Sequence, residues 1–454
     1  MNPFHLALIV PVMMQAAPQA VPPSPTPSGS QPAAPSKAPS GRVVHLDDAV
    51  QIALKSQPLM HEARAQTEGA VGVSQQARSG LLPQVTGTAL FERTHSAITL
   101  APGSQTGGGA AGVGVATSTH DIYSLSASGT QLIYDFNQTP DKLRAANRSV
   151  DSFRASERTT ELQVLLGARR AFFTARANHA LVRVADETLT NEQKHVVQVK
   201  GFVAAGTQPE IALATELTSL ANDKVALITA QNNYEIAKAQ LNQSIGIVGD
   251  SNYDVADEGL PAIEGEEGPD ETLVQYALKT RPEIVAFEKS RESDELTIKS
   301  FKGAYGPTLS ALGSAGTSGL ALDSMTPNWA VGAQLLWPVF QGGLTTGQVH
   351  QAEANLSYVD AQLDAEKLQV RFDVMQAVLT LRAAKVSIDA SNEALVNARE
   401  QLRLAEGRYQ SGVGSIIELG DAQVAATNAA AQVVQADFNL ATARAQLLTA
   451  LGRP

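Results

Sequence analysis

The residue types that most often perform catalysis or bind metals are few and scattered in this sequence. It contains no cysteine, which excludes disulfides, thiolate zinc sites and cysteine nucleophiles. Its eight histidines are spread along the chain, and no H-E-x-x-H, G-x-S-x-G or P-loop motif is present. Gly107, Gly109 and Gly112 satisfy G-x-G-x-x-G without a preceding strand or a following helix, so we interpret residues 103–119 as a flexible loop. We therefore expect no enzyme, no cofactor and no metal site.

Charge and composition exclude further classes of protein. The net charge of −11 argues against nucleic-acid binding, which needs a basic face. Aromatic residues make up only 5% of the chain, so we expect an elongated protein packed through small residues rather than one large compact core. Eight acidic residues lie between positions 247 and 270, without the spacing of a calcium site, and predict a solvated acidic segment.

The sequence contains an internal duplication. Val50–Pro58 matches Val274–Pro282 at an offset of 224 residues, and Pro83 and Pro307 keep that offset. Gln131–Tyr134 then aligns with Gln334–Trp337 at an offset of 203, so the first copy carries 21 extra residues. These matches predict two repeats, residues 45–246 and 271–452, joined by the acidic segment 247–270.

Long stretches without proline predict long helices. No proline occurs between Asp141 and Gln208 or between Val339 and Arg453. Large residues alternate with alanine at heptad spacing, as in Leu381 and Ala384, which lets antiparallel helices pack closely. We predict one long helix per repeat, matched by two short helices stacked end to end. In the first copy, the long helix is expected at 141–203 and its short partners at 47–80 and 210–246. In the second copy, the long helix is expected at 345–411, and its short partners are 271–303 and about 36 residues after the turn.

Alternating apolar and small polar residues predict two strands in each repeat, at about 84–95, 121–134, 307–316 and 329–337. This period-two pattern is typical of transmembrane strands, although a half-buried soluble sheet would also produce it. Trp329 and Trp337 are about 26 Å apart along a strand, which suits two aromatic girdles at membrane interfaces that Tyr123 and Tyr134 would join. Four strands cannot close a membrane barrel, so either the strands lie outside a membrane or several copies share one barrel.

The first 44 residues predict export. Residues 6–14 form an apolar run too short to span a bilayer, followed by small residues, as in a signal peptide. It is atypical because no lysine or arginine precedes it. We interpret residues 1–20 as the signal peptide and residues 21–44, rich in Pro, Ser and Ala, as a disordered leader.

From about residue 45 to 452 the chain resembles the TolC family of outer-membrane efflux channels. The most specific segment is Tyr409–Gln423, which is similar to the family's Tyr-x-x-Gly turn and the acidic helix start after it. Val203–Leu213 is a weaker first copy. Tyr134–Thr139 and Trp337–Gly343 look like the family's corners between strand and helix.

The resemblance implies a mainly α-helical chain with a membrane β part. It would form a homotrimer whose twelve-stranded β-barrel lies in the outer membrane of a Gram-negative-type cell, continued by an α-helical coiled-coil barrel in the periplasm. Such a channel is a passive exit duct in efflux or type I secretion, and its helix tips dock to a periplasmic adaptor and an inner-membrane pump. The tips would be Gly206, Thr207, Gln208, Gly412, Val413, Gly414 and Ser415. Because cysteine is absent, we expect no lipoprotein anchor.

By position, Glu418 and Asp421 match the acidic residues that ring the family's periplasmic constriction. Their spacing places them on one helix face, although acidic residues also favour a solvated helix start. Gly414 stands where better-known members carry a basic residue, and Ala212 where the first copy often has an acidic one, so a salt-bridged lock is not expected. The competing hypothesis is a soluble periplasmic coiled-coil adaptor or scaffold, which would show one hairpin instead of a duplicated set.

Overall fold

The computed structural model describes residues 43–99, 115–249 and 251–454. The predicted signal peptide, nearly all of the leader and the G-x-G-x-x-G residues lie outside these ranges. The elements, in chain order, are β1 (Val43–Val44), α1 (Leu46–Ser56), α2 (Pro58–Ser79), β2 (Gln84–Thr99), β3 (Val115–Tyr134), α3 (Gln138–Ala204), α4 (Glu210–Ile245), β4 (Asp254–Val255), α5 (Asp270–Thr280), α6 (Pro282–Gly303), β5 (Thr308–Gly319), β6 (Thr326–Leu336), α7 (Leu344–Gln410) and α8 (Ile416–Ala450). Two helices, two strands and two helices thus occur twice in the same order.

The four long strands form one antiparallel sheet in the order β2-β3-β5-β6. The first hairpin is longer than the sequence predicted, because β2 continues to Thr99 and β3 already begins at Val115. Residues 115–119, which we expected in a loop, are therefore in a strand. β6 ends at Leu336, so Trp337 lies just after the strand.

The strand register collects the apolar side chains on one face of the sheet. Val85 pairs with Gly129 and Phe91 with Tyr123, while Ala315 pairs with Trp329, so the apolar positions of neighbouring strands coincide. The alternate positions pair small polar residues, such as Ser128 with Ser314. The apolar face is exposed within the chain, with Trp329 79% and Val331 80% exposed. A soluble monomer rarely exposes so continuous an apolar surface.

Each repeat contains one 67-residue helix, α3 in the first and α7 in the second, which extends away from the sheet. At 1.5 Å per residue each is about 100 Å long. Both begin after a corner with left-handed backbone, formed by Phe136 and Asn137 in the first repeat and by Gly342 and Gly343 in the second. The Asp135 carboxylate accepts a hydrogen bond from the Thr139 backbone N–H at 2.8 Å and so fixes the first corner.

The prediction of a single helix over 47–80 and another over 271–303 is wrong, because each is divided in two. The breaks lie at Gln57-Pro58 and Arg281-Pro282, where the residue before proline is extended. Proline disfavours helical backbone in the preceding residue and has no N–H to donate. The same break in both repeats preserves the end-to-end stacking along α3 and α7.

Two hydrophobic clusters form the core halfway along the helices. One packs Phe172 and Phe173 of α3 against α1 and α4, and the other packs Val370 and Leu381 of α7 against α5 and α8. Most of the other buried side chains are alanine, valine and leucine, as the alternating pattern predicted. Within the described ranges, no helix combines the length and apolar composition that crossing a membrane requires.

The acidic segment between the repeats is less solvated than we predicted. Glu266 is buried, and its carboxylate lies 2.7 Å from Lys385 Nζ and 3.4 Å from Arg444 Nε. Asp257 forms ion pairs with Arg176 and Arg183 of α3. These contacts lower the pKa of both carboxyl groups. The segment therefore joins the two repeats through ion pairs, because its acidic residues face basic ones on α3, α7 and α8.

Candidate functional site at the helix turns

The two turns that end the long helices have the same backbone structure. Gly206 and Gly412 both adopt a left-handed conformation, with φ of +71° and +75°. In each turn the residue after this glycine donates its N–H to a carbonyl five residues earlier, Thr207 to Phe202 and Val413 to Arg408. This is the hydrogen bond by which a Schellman motif closes a helix. The predicted tip residues 206–208 and 412–415 therefore form two closed turns.

Gly414 and Ser415 connect the second turn to α8. A Cβ atom at Gly414 would lie 2.8 Å from the Tyr409 backbone nitrogen, so the turn has no room for a side chain there. This close approach disfavours any larger residue at position 414 in this turn. Ser415 is the N-cap of α8, and its hydroxyl accepts a hydrogen bond from the Glu418 N–H at 3.1 Å.

A small core holds the two turns together. Tyr409 is 2% exposed and its ring packs edge-on against Phe202, with 5.9 Å between the ring centroids. The other buried members of this cluster are Val199, Ala212, Ala405, Leu419 and Ala422. The turns of the two repeats thus form one unit, in which α8 begins directly beside the end of α3.

The two predicted constriction residues have different surroundings. Arg408 Nε lies 3.4 Å from Glu418 Oε1, an ion pair that sequence reasoning missed. No basic side chain of the described residues lies within ion-pair distance of Asp421, which is exposed. Because a partly exposed ion pair contributes little energy, Glu418 is only weakly held by Arg408.

A cavity of about 530 Å³ lies beside these residues, between α3, α4 and α8, and we call it the three-helix cavity. Asp421 lines it, together with Glu192 of α3 and with Glu216 and Asp223 of α4. Glu192 and Glu216 are 6% and 7% exposed. Burial and the neighbouring Glu216 raise the pKa of Glu192 to about 9, and burial raises that of Asp223.

Sequence reasoning missed these three acidic residues, although a signal was present. At the offset of 206 residues that relates the two turns, Glu192, Glu216 and Asp223 correspond to Ala398, Ala422 and Ala429. Those alanines occupy the apolar heptad positions of the second repeat. An acidic residue at the matching position of the first repeat therefore predicts a buried carboxyl group. No cluster of His, Cys, Asp or Glu in the described part of the chain is arranged to hold a metal ion.

The four predicted girdle residues lie on or next to the sheet, far along the chain from the turns. Trp329 and Tyr123 occupy the face that also carries Val331 and Phe91, and Tyr123 contacts Phe91 with 5.0 Å between ring centroids. At the other end, Tyr134 pairs with Leu309 after a register shift. Trp337 donates its indole N–H to the Tyr305 carbonyl at 3.2 Å.

Comparison with known proteins identifies the family. A family model described as outer membrane efflux protein matches residues 49–247 and 273–453. The chain belongs to this family. Membership confirms the predicted family, the outer-membrane location and the efflux-channel function, and it disfavours the soluble adaptor.

Individual relatives of the efflux family are distant in sequence. The chain is 25% identical over 332 residues to outer membrane efflux protein BepC of Brucella suis, a match covering 71% of this chain and 70% of BepC. It is 24% identical over 295 residues to outer membrane protein TolC of Escherichia coli, covering 62% of this chain and 57% of TolC. The match therefore spans less than two thirds of TolC.

Solved structures share the fold. The outer-membrane channel OprN superposes with a TM-score of 0.74 at 17% identity, covering 90% of both chains. The CmeC outer membrane channel of Campylobacter jejuni gives a TM-score of 0.76 at 18% identity, covering 90% of this chain and 85% of CmeC. The predicted mainly α-helical fold with a duplicated strand pair and long helix is thereby confirmed. The trimeric barrel requires neighbouring copies and stays a prediction.

Proposed function

We propose that three copies of this chain form one exit duct in the outer membrane. Substrates would pass through it passively after an inner-membrane pump delivers them through a periplasmic adaptor. The proposal includes no catalytic step and no cofactor. The observation that carries it is the four-stranded sheet, which combines an exposed apolar face with two open edges.

The open edges favour a shared sheet. Among the described strands, β2 and β6 each pair with one neighbour only, so the backbone groups along their outer edges lack a partner strand. Unpaired backbone groups are strongly disfavoured in lipid, and four strands are too few to close. If β6 of one copy paired with β2 of the next, three copies would supply twelve strands and no edge would remain.

The helix turns suit a docking surface for the adaptor. Ile211, Val413 and Ile417 are each more than 70% exposed, beside turns that the backbone hydrogen bonds hold rigid. Exposed apolar side chains on rigid turns are typical of contact sites for a partner. We propose that residues 206–208 and 412–415 contact the adaptor through their backbone and through Val413, since the Ser415 hydroxyl already caps α8.

At the same end, Glu418 and Asp421 are proposed to line the constriction. Threefold symmetry would bring six carboxylates of the trimer near the axis, where their field attracts cations. At the opposite end, Trp329, Trp337, Tyr123 and Tyr134 are proposed to contact the lipid interfaces. The exposed apolar face between these aromatic residues supports that placement.

The decisive experiment is to image the purified protein in lipid nanodiscs and to count its subunits by native mass spectrometry. We expect threefold symmetry and a mass of three chains. A single subunit in lipid, or recovery of the mature chain as a soluble periplasmic monomer after fractionation, would contradict the proposal. Copurification of an adaptor crosslinked at the turns would identify the pump system.

A further inference from the structure

Acidic side chains dominate the lining of the three-helix cavity, and His195 is the one lining side chain that can be protonated to a cation. Four carboxyl groups line it, and none of its lining residues is lysine or arginine. Glu192 and Glu216 are both more than 90% buried, on two different helices. Carboxyl groups that are buried near one another are unfavourable as anions unless a cation or a proton compensates them. The cavity therefore has the charge of a cation site.

A second observation points to a hydrogen-bond donor as the missing partner. Gln423 of α8 is 9% exposed and lines the same cavity, and its Oε1 has no hydrogen-bond partner in the described structure. Glu192 Oε1, from α3, also has none. Buried acceptors without a donor are rare in folded proteins and are costly to keep. At neutral pH the Glu192 carboxyl group is protonated and hydrogen-bonded to Glu216, so the buried Gln423 Oε1 is the acceptor that lacks a donor.

The charged groups around Glu192 do not supply the missing hydrogen-bond donor. From its own helix, His195 lies in the cavity wall, but its Nε2 is 3.8 Å from Glu406 Oε1 of α7. The groups that face Glu192 from α4 and α8 are all acidic, namely Glu216, Asp223 and Asp421. Among these residues only His195 can donate a hydrogen bond, and its buried Nδ1 has no partner in the described structure.

The cavity also offers an apolar ledge. Ile416, Ile417 and Val424 of α8 line one side, and Ile417 and Val424 are 72% and 60% exposed. A volume of about 530 Å³ is within the range of small-molecule sites. Acidic walls, missing donors and an apolar ledge together fit an amine with an alkyl chain better than a bare metal ion.

We propose that the three-helix cavity binds a primary or secondary alkylammonium ion. Its N–H groups supply the donors that Glu192 Oε1 and Gln423 Oε1 lack, and its alkyl chain packs on Ile416, Ile417 and Val424. Such a ligand joins α8 to α3 and α4 beside the turns. The site lies between the helices of one chain, and it shares Asp421 with the proposed constriction.

Binding at this site is coupled to a proton. The pKa of Glu192 is raised to about 9, so the empty site holds a proton at neutral pH. An ammonium ion favours the carboxylate and therefore releases that proton. Because proton release becomes easier as pH rises, we expect the affinity to increase by up to about tenfold per pH unit between about pH 6 and about pH 8.

The test is calorimetric titration of n-butylammonium into the full-length protein in nanodiscs. Butyltrimethylammonium is the matched probe, because it has the same charge and chain but no N–H donor. We expect saturable binding of n-butylammonium and at least tenfold weaker binding of butyltrimethylammonium. Glu192→Gln and Gln423→Met should each weaken binding at least tenfold, and Glu192→Gln should abolish its pH dependence. The control Glu187→Gln, an exposed position on α3, should bind like the wild type.

Several results would overturn the proposal. They are no saturable binding of n-butylammonium, equal binding of the two probes, an affinity independent of pH, or unchanged affinity in Glu192→Gln. Melting curves of each variant distinguish a lost site from a lost fold, and the near-isosteric Glu192→Gln is expected to fold. Subunit counting in nanodiscs is unaffected by these outcomes, so failure here leaves the exit-duct proposal testable on its own.

Discussion

At the residue scale, Glu418 and Asp421 differ in how strongly their charges are compensated. Arg408 lies 3.4 Å from Glu418, whereas Asp421 has no ion pair among the described residues. We infer that Asp421 contributes more to any attraction of cations at the constriction. Gly414 has no side chain that could bridge the tips.

The first prediction concerns conduction. Replacing both residues, Glu418→Ala with Asp421→Ala, should raise single-channel conductance and weaken block by multivalent cations, because the narrow end loses bulk and negative charge. Planar-bilayer recording measures both properties. The control Glu62→Ala with Glu68→Ala removes the same charge from exposed positions on α2 and should leave conductance and block unchanged. Unaltered conductance and block in the Glu418/Asp421 variant would exclude these residues from the constriction.

A second prediction concerns Glu192, whose pKa is raised in the folded protein to about 9. Below the usual carboxyl pKa, the folded and unfolded states both hold the proton, so this group has no effect. Above it, the unfolded state releases the proton while the folded state keeps it. Stability should therefore fall as pH rises through this window, by at most about 1.4 kcal/mol per pH unit.

Glu192→Gln removes that dependence. The variant should melt at the same temperature as the wild type near pH 4 and at a higher temperature near pH 8, which thermal melts in detergent can measure. Glu187→Gln, on the exposed side of α3, is the control and should follow the wild-type curve at both pH values. A wild-type advantage at pH 8 would mean that Glu192 is ionised and paired.

At the element scale, the breaks before Pro58 and Pro282 are fixed by different contacts in the two repeats. In the first, the Gln57 amide donates to the Ser244 carbonyl at 2.9 Å, at the end of α4. In the second, the buried Arg281 donates through Nη1 to Asp373 of α7 at 2.9 Å. The second repeat thus relies on a buried charge where the first uses a neutral amide.

This difference predicts that Arg281→Ala is costly. The Asp373 side chain is 31% exposed and keeps a hydrogen bond from Gln369, so losing its charged partner should cost about 1.5–3 kcal/mol. Chemical denaturation followed by circular dichroism would measure the loss. Arg382→Ala breaks the more exposed pair with Asp270, which should cost about 1 kcal/mol or less. Equal losses in the two variants would show that Arg281 is not part of the core.

At the scale of the whole molecule, the register of the sheet decides which residues meet the membrane. Val331 lies on the exposed apolar face, and Gln334 lies on the opposite face, where it pairs with Ser310. The two positions are three residues apart on the same strand. They therefore form a matched pair for testing the orientation of the sheet.

Val331→Arg should impair membrane assembly, because a charged side chain that faces lipid is destabilising. The cost is about 2–4 kcal/mol at the bilayer midplane and falls toward the interfaces, and Val331 lies two residues from Trp329. Gln334→Arg should be tolerated, since its side chain faces away from lipid. The fraction of trimer recovered from outer membranes, read on unheated gels, measures both effects. Greater loss in Gln334→Arg than in Val331→Arg would mean that the faces are reversed.

The periodic spacing of apolar residues was enough to predict much of the fold of this protein from its sequence. The duplication, the two long helices and the four strands follow from local spacing, because a helix or strand repeats its exposure pattern every few residues. The corner and turn motifs were equally local, and they sufficed to indicate the family. The proline breaks at Gln57 and Arg281 could also have been predicted from the rule for residues before proline.

The tertiary structure alone decided which residues from different helices meet. Arg408 and Glu418 come together across a turn, and Glu266 of the joining segment is buried against Lys385 and Arg444 of the second repeat. Glu192, Gln423 and the cavity between them depend on three helices separated by many residues in sequence. The spacing of residues in the sequence fixes the helix face on which each one lies, but only tertiary packing fixes what that face contacts. Burial, pKa and binding depend on those contacts.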